Sequence, residues 1–335
     1  MTAEIKDEMK KKMLPVTVVI PTMNRPESLA ATVKSYLSAS YVPSEIIVVD
    51  QSINEENRIS VRKAVESCAV CAAEVSNTGT SGTVKGVYIW LEQPSTTVSR
   101  NAGAAAASND IILYSDDDIE VENDTVFQIY SLMDNPEYAM AEGNIFPRRK
   151  MKLSTCLFVC LSGKAAFWKL GIGHVSPGMF AWMPWVEDND IETDWARGCF
   201  FAVRRSLAAK WNISWDVKMS GYAFAEDMDY TMAYSRAARR ENLRCVISHK
   251  AKLYHLCSRE YRIPNRQMAA RIVINRLYLF YKHGGGFLGR IALEWCNFML
   301  LFSMLLKGGA KNHWDAMKYC YKHGREIKNG ELKYE

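Results

Sequence analysis

Ile111-Ile112-Leu113-Tyr114-Ser115-Asp116-Asp117-Asp118 is the stretch on which the reading of the fold turns. Four apolar residues rich in β formers run straight into three carboxylates. Adjacent acids repel one another and lower both helix and strand propensity, so local stability does not account for them. Such a cluster holds a hard divalent cation well. Mg2+ and Mn2+ prefer oxygen ligands and take one or two carboxylates together with phosphate oxygens. The bland alternative is a solvated acidic turn ahead of the next helix. Against it stands the position, because the C-terminal edge of a parallel strand is where α/β sheets bind ligands.

Upstream, Val16-Thr17-Val18-Val19-Ile20 reads as a buried parallel strand. Pro21-Thr22-Met23-Asn24-Arg25-Pro26 ends it, and Pro26 followed by Glu27 signals a helix start. Leu29, Val33 and Leu37 then recur at four-residue spacing, predicting a helix over 26–38. Ile46-Ile47-Val48-Val49 is a second buried strand, ending at Asp50, and a helix is expected over 55–69. Residues 77–86 read as a loop, Val87-Tyr88-Ile89-Trp90 as a third strand, and 97–108 as a helix rich in alanine and glycine. Strand and helix alternating at this spacing predict a mostly parallel α/β sheet flanked by helices. Right-handed crossovers place the strand ends on one edge, which gathers Thr22, Asn24, Arg25, Asp50 and the three acids into one crevice.

Downstream, Asn123 is read as the cap of a helix to Met133, and 148–185 is irregular and aromatic. Cys199-Phe200-Phe201-Ala202-Val203 reads as a strand, and Glu226-Asp227-Met228-Asp229 opens a helix to about Arg240. Acids in a first turn also favour the helix dipole without any further role. Residues 243–248 and 251–255 read as two strand segments, and 259–289 as a basic helix. The run 291–306 is apolar except for Glu294, Asn297 and Ser303, too short and too polar for a confident transmembrane span. A helix lying in a membrane interface and a core helix both fit it.

The chain has 335 residues, 48% of them hydrophobic and 24% charged, as expected of a globular protein with a substantial core. Residues 4–12 alternate in charge with no apolar segment, so no secretory signal is expected. The nine cysteines are scattered. Cys68-x-x-Cys71 lacks a partner pair or nearby histidines and reads as two small buried residues. This usage suits a reducing cytosol. The net charge of +5 hides an asymmetry. Residues 236–335 hold 20 Lys and Arg against 7 Asp and Glu, a net +13, which leaves −8 for the rest. A basic C-terminal portion suggests an anionic partner, either membrane phospholipid or a polyanion. No nucleic-acid-binding motif is present.

The series Val18-Val19-Ile20-Pro21-Thr22-Met23-Asn24-Arg25, Ile47-Val48-Val49-Asp50-Gln51-Ser52, Ser99-Arg100-Asn101-Ala102-Gly103, Asp116-Asp117-Asp118 and Glu226-Asp227-Met228-Asp229 resembles the family 2 glycosyltransferases of GT-A fold. Order and spacing both match over about 16–255, giving an expected charged lead (1–15), a GT-A catalytic domain (16–255) and a basic helical region (256–335) that associates with a membrane. The resemblance implies a nucleotide-diphospho-sugar donor and inversion at the anomeric carbon. Pro21, Thr22, Asn24 and Arg25 would cradle the nucleotide, and Asp50 would accept a hydrogen bond from its base. Arg100 would reach base or diphosphate, and Asp116 and Asp117 the ribose or sugar hydroxyls. Asp118 would ligate a divalent metal, Mn2+ or Mg2+, with His255. Asp227 would be the general base, its pKa raised by crowding from Glu226 and Asp229.

Trp185, Trp195 and Glu226 are candidates for the acceptor side, where aromatic faces stack on sugars. The acceptor would be a carbohydrate or lipid-linked hydroxyl, in polysaccharide or glycoconjugate synthesis on the inner face of the membrane. The Gln-x-x-Arg-Trp motif of processive members is missing, which favours single transfers. A nucleotidyltransferase would show a glycine-rich loop at residues 21–25, and none is there. A binding protein without catalysis would have lost acids that this chain keeps.

Overall fold

The computed structural model describes residues 11–70, 72–75, 81–147, 152–220, 224–256 and 265–334. The first half alternates as the sequence suggests. Strand β1 (Lys12–Thr22) leads into helix α1 (Pro26–Ser38), β2 (Tyr41–Asp50) into α2 (Glu55–Glu66). A 3-10 turn (Ser67–Val70) continues α2, and the short strands β3 (Ala72–Val75) and β4 (Ser81–Thr83) follow. Next come β5 (Lys85–Trp90), α3 (Thr96–Ala106), β6 (Ile111–Ser115), β7 (Ile119–Val121) and α4 (Thr125–Asp134). Strands β1 and β2 run several residues beyond their apolar cores, and β1 continues through Pro21. Asp124, rather than Asn123, occupies the cap position of α4, and its side chain makes no capping bond.

The second half begins with β8 (Tyr138–Phe146) and α5 (Leu153–Leu161). A 3-10 turn (Phe167–Lys169) and three two-residue strands follow: β9 (His174–Val175), β10 (Ala181–Trp182) and β11 (Ile191–Glu192). Then come β12 (Phe200–Arg204), α6 (Arg205–Lys210), α7 (Glu226–Arg240) and β13 (Arg244–His255). The C-terminal helices are α8 (Asn265–Lys282), α9 (Phe287–Lys307), α10 (Ala310–Lys322) and α11 (Gly324–Lys328). The two segments expected at 243–255 are one strand with a register shift between Ile247 and Lys252. Residues 1–10 of the charged lead and Cys71 lie outside the described residues.

The main sheet has the order β11-β13-β8-β12-β6-β1-β2-β5. Strands β6, β1, β2 and β5 pair in parallel. The Val and Ile side chains of β1, β2 and β6 are buried on both faces, which is why each reads as an unbroken apolar run, while Val87 and Ile89 of the edge strand β5 are half-buried. Gly103 of α3 fits against β1 because a Cβ there would lie 2.3 Å from Val19 Cγ1. The one reversal at the centre is β12, antiparallel to both β6 and β8. It brings the start of β12, rather than its end, to the edge where β6 finishes. Phe200 pairs with Ser115 there. Strand β13 is parallel to β8 and ends at His255 on the same edge. The C-terminal helices pack onto α7: Lys282 reaches Asp229 at 2.6 Å and Asp216 at 2.7 Å.

Candidate active site

The loop after β1 is built by its polar residues. Asn24 takes a left-handed backbone (φ 55), which asparagine tolerates better than most residues. Its N–H donates to Ser52 Oγ at 2.9 Å, and its side-chain oxygen accepts from the N–H of Ile53 at 3.0 Å. This ties residues 21–25 to the end of β2. There Asp50 is fully buried, accepting from the Ser52 N–H at 2.8 Å and the Tyr88 hydroxyl at 2.9 Å.

The three acids after β6 are pinned through their backbone. The N–H of Asp116 donates to Cys199 O, the carbonyl of Asp117 accepts from Ser28 Oγ, and that of Asp118 accepts from the N–H of Leu256. Their side chains then diverge. Asp117 turns inward, accepting from Thr22 Oγ1 at 2.7 Å and from Arg25 at 2.6 Å. Burial and the flanking carboxylates hold it up at about 7, although Arg25 and Thr22 pull the other way. Asp118 pairs with Arg25 at 3.0 Å and with His255 Nε2 at 3.1 Å. Burial alone would lower the His255 pKa, but the hydrogen bond to Asp118 and the charges of Asp116 and Asp118 raise it. Ligand atoms of Asp116, Asp118 and His255 all lie within 4.8 Å of one another. Two carboxylates and an imidazole at that spacing could close on a single divalent cation.

Across the same edge, Arg100 of α3 is buried and bridges the two acidic groups. It donates to Asp116 at 3.3 Å, to Glu226 at 3.0 Å and to Gly198 O at 3.1 Å. Its guanidinium lies 4.5 Å from the Trp215 ring centroid, and Trp215 stacks on Tyr230. A Cβ at Gly198 would lie 2.9 Å from Arg100 Nη2 and 3.0 Å from Asp227 Cβ, so only glycine lets these side chains meet. Asp227 accepts from the N–H of Gly198 at 2.8 Å and from that of Met228 at 2.7 Å. Burial is the main force raising both Asp227 and Glu226, Glu226 to about 7; Asp227 adds to the second, and Arg100 opposes both shifts. Immediately before them Ala225 sits in the left-handed region (φ 68), a strain of the kind that aims functional side chains.

Most of the expected residues therefore converge, with several revisions. Asp116, expected on ribose or sugar hydroxyls, falls in the candidate metal group with Asp118 and His255, and Asp117, expected there too, is buried against Thr22 and Arg25. Asp118 is buried, so it is not the exposed strand-end acid that its position suggests. Arg100 is enclosed among protein partners and acts as a bridge rather than an open contact for a diphosphate. Asp229 faces away from Asp227 and anchors Lys282 and His283, at 2.6 and 2.7 Å, so it contributes no crowding. Trp195 is 7% exposed and donates its indole N–H to Trp182 O at 2.8 Å, which makes it a core residue rather than a sugar platform. Trp185 is 37% exposed. Tyr88, Gly198 and Trp215 are site-building residues that the sequence reading did not single out. None carries a local signal, since each acts through a neighbour distant in sequence.

A mostly parallel sheet with an acidic cluster and a histidine at one edge defines the class: an α/β fold with a candidate metal site at the strand ends. Residues 17–155 match the family described as Glycosyl transferase family 2. The fold resembles the crystal structure of GalNAc-T7 with UDP, GalNAc and Mn2+ (TM-score 0.54, 14% identity), covering 80% of this chain and 50% of that one. It also resembles the mannosyltransferase PcManGT from Pyrobaculum calidifontis in complex with GDP-Man and Mn2+ (TM-score 0.51, 16% identity), covering 94% of this chain and 83% of that one. The chain thus spans half the length of the first of these. No curated protein matches it. The chain thus has the GT-A fold, with a match to Glycosyl transferase family 2 over residues 17–155.

Proposed function

We propose that this protein transfers a sugar from a nucleotide-diphospho-sugar to an acceptor hydroxyl, with inversion and with a divalent cation. The observation that carries this reading is the convergence of Asp116, Asp118 and His255 within 4.8 Å on the edge that also holds Asp227. The solved structures with Mn2+ and a nucleotide or nucleotide-sugar support the donor class. Asp116, Asp118 and His255 would hold the cation, and the imidazole in the set favours Mn2+ over Mg2+, which prefers oxygen. When bound, the cation neutralises charge on the departing diphosphate.

The chain's own residues supply the remaining steps. Asp227 takes the proton of the acceptor hydroxyl as its oxygen bonds to the anomeric carbon and the bond from that carbon to the diphosphate oxygen breaks. Two backbone N–H donors fix the Asp227 carboxylate, and a raised pKa makes it a better base than a solvated aspartate. Arg100 keeps Glu226 and Asp116 in register with it. Arg25 and Thr22 hold the acidic cluster against its own repulsion, and the loop of Pro21 and Asn24 with Asp50 walls the nucleotide side. Trp185 lies in the region from which acceptor contacts are expected. The acceptor is a carbohydrate or lipid-linked hydroxyl in polysaccharide or glycoconjugate synthesis.

Incubating the protein with UDP- and GDP-sugars and Mn2+ tests the reading. Release of nucleoside diphosphate, abolished by EDTA and restored by Mn2+, is the expected result. Release of pyrophosphate instead would indicate a nucleotidyltransferase. The anomeric configuration of the product, read by NMR, reports inversion.

A further inference from the structure

Helix α9 leaves an apolar stripe uncovered. Leu288, Ile291, Trp295, Phe298, Phe302 and Leu305 recur at alternating three- and four-residue spacing and are all exposed. The opposite face is buried: Leu293, Cys296, Asn297 and Leu300 pack inward, and Asn297 accepts from Arg276 of α8 at 2.7 Å. The helix has 21 residues, roughly 30 Å at 1.5 Å per residue, the thickness of a bilayer core. By length and apolarity Phe287–Leu305 would suffice to cross a membrane, but the buried polar attachment of Asn297 to Arg276 fixes one face of the helix along the protein.

A second helix extends the stripe. No residue of α5 is buried, and Leu153, Leu157 and Leu161 form a row along it, Leu153 being 86% exposed. The two helices touch: Trp295 donates its indole N–H to Leu161 O at 2.8 Å, and Gly163 sits against Trp295 and Cys296. After α5, Phe167 and Trp168 are exposed and meet edge to face, and Trp168 borders the same cavity of about 400 Å3 as Gly285 and Gly289 at the head of α9. Apolar residues exposed singly are ordinary on a soluble surface. A continuous set across two touching helices marks an interaction site.

We infer that α5, the Phe167–Lys169 turn and α9 together form one face that docks on an anionic lipid bilayer. Charge decides between occupants. Lys152 at the head of α5, Lys164 after it and Arg290 of α9 flank the apolar rows, and residues 236–335, which include α9, carry a net +13 against −8 for the rest, a balance that favours approach to anionic headgroups. Aromatic side chains among leucines suit the headgroup boundary. Two apolar rows side by side also make a surface broader than the single seam of a helix-pairing partner. The inference stands apart from the reaction, since a chain without transferase activity would still dock.

Co-sedimentation of the full chain with vesicles tests it. Vesicles of phosphatidylglycerol and phosphatidylcholine should carry the protein down, weakened at high salt, and pure phosphatidylcholine should carry far less. The double substitutions Phe298→Ser with Phe302→Ser on α9, and Leu153→Ser with Leu157→Ser on α5, remove only solvent-facing side chains. Each pair should lower the vesicle partition coefficient at least about tenfold while circular dichroism stays native. Unchanged partition of the α5 pair would overturn the composite face. A protein that stays in solution with both vesicle types overturns the inference, and a concentration-dependent dimer broken by the same substitutions would assign the face to a second copy.

Discussion

The two edges of the main sheet treat buried carboxylates in opposite ways. Glu45, in the middle of β2 beside the starts of β5 and β6, is buried, yet it accepts from Thr17 Oγ1, Lys85 Nζ, and both the N–H and the hydroxyl of Ser108, at 2.6–2.7 Å. Burial would raise its pKa, but these donors overcome it and hold the acid down at about 2. At the far edge, five carboxylates (Asp116, Asp117, Asp118, Glu226 and Asp227) stand around two arginines. Arg25 serves two carboxylates and Arg100 serves two more, and Asp117 and Glu226 are pushed up to about 7. A buried acid given all its donors is a fastening. A buried cluster with more carboxylates than cationic partners is ready for a cation or a proton, and such perturbed groups gather at functional sites.

The sharpest way to break this contrast is Asp227→Asn, which keeps the shape and one of the two accepted backbone bonds but removes the proton acceptor. Turnover should fall by roughly 10²–10⁴ with donor affinity, read by calorimetry, nearly unchanged. Glu226→Gln should lose much less, because successive helical residues point about 100° apart and Glu226 is directed to Arg100. Reversal of these two results would exchange the roles of the acids.

Gly198→Ala tests the packing that seats Asp227. The added Cβ would collide with Arg100 and Asp227, so a loss of about tenfold or more in kcat is expected, with thermal stability reduced by roughly 1–3 kcal/mol. A variant with normal kcat would show that the close approach of Arg100, Gly198 and Asp227 is dispensable.

Stability against pH separates the two edges by sign. The Glu45 pKa is depressed from 4.5 to about 2 on folding, so its contribution is present above about 4.5 and disappears as pH falls through 2. Glu45→Gln should destabilise at neutral pH by roughly 1–3 kcal/mol, leave turnover alone, and match wild type near pH 2. Glu226 is raised, so its contribution is full below about 4.5 and lost as pH rises through 7. Relative to Glu226→Gln, the wild type should therefore lose stability between pH 5 and 8. Denaturant unfolding across pH reads both, and slopes of the same sign would erase the contrast.

The parallel half of the fold was legible because strands buried on both faces must be apolar throughout, and β1, β2 and β6 are. The direction of β12 was not, since Phe200 to Val203 would read alike running either way. That reversal is what brings Gly198 to the site, so its importance was hidden with it. The acids were legible as a pattern but not in their partners. Asp229 looks like a third member of a cluster until the helix turns it towards Lys282, and Trp195 looks like a sugar platform until its neighbours bury it. Residue type announces chemistry, whereas burial and direction are set by contacts far apart in the chain. The same holds for α5, whose exposed leucines acquire meaning only beside α9.

The central claim is that the acid-rich edge holds a divalent cation together with a nucleotide. Thermal-shift titration of UDP and GDP with and without Mn2+, on wild type, Asp118→Ala and Glu45→Gln, tests it most directly. The account predicts that nucleotide and Mn2+ together raise the melting temperature of wild type and of Glu45→Gln, from whatever baseline each has, and that Asp118→Ala loses the Mn2+-dependent part. An unchanged Mn2+-dependent shift in Asp118→Ala would contradict it.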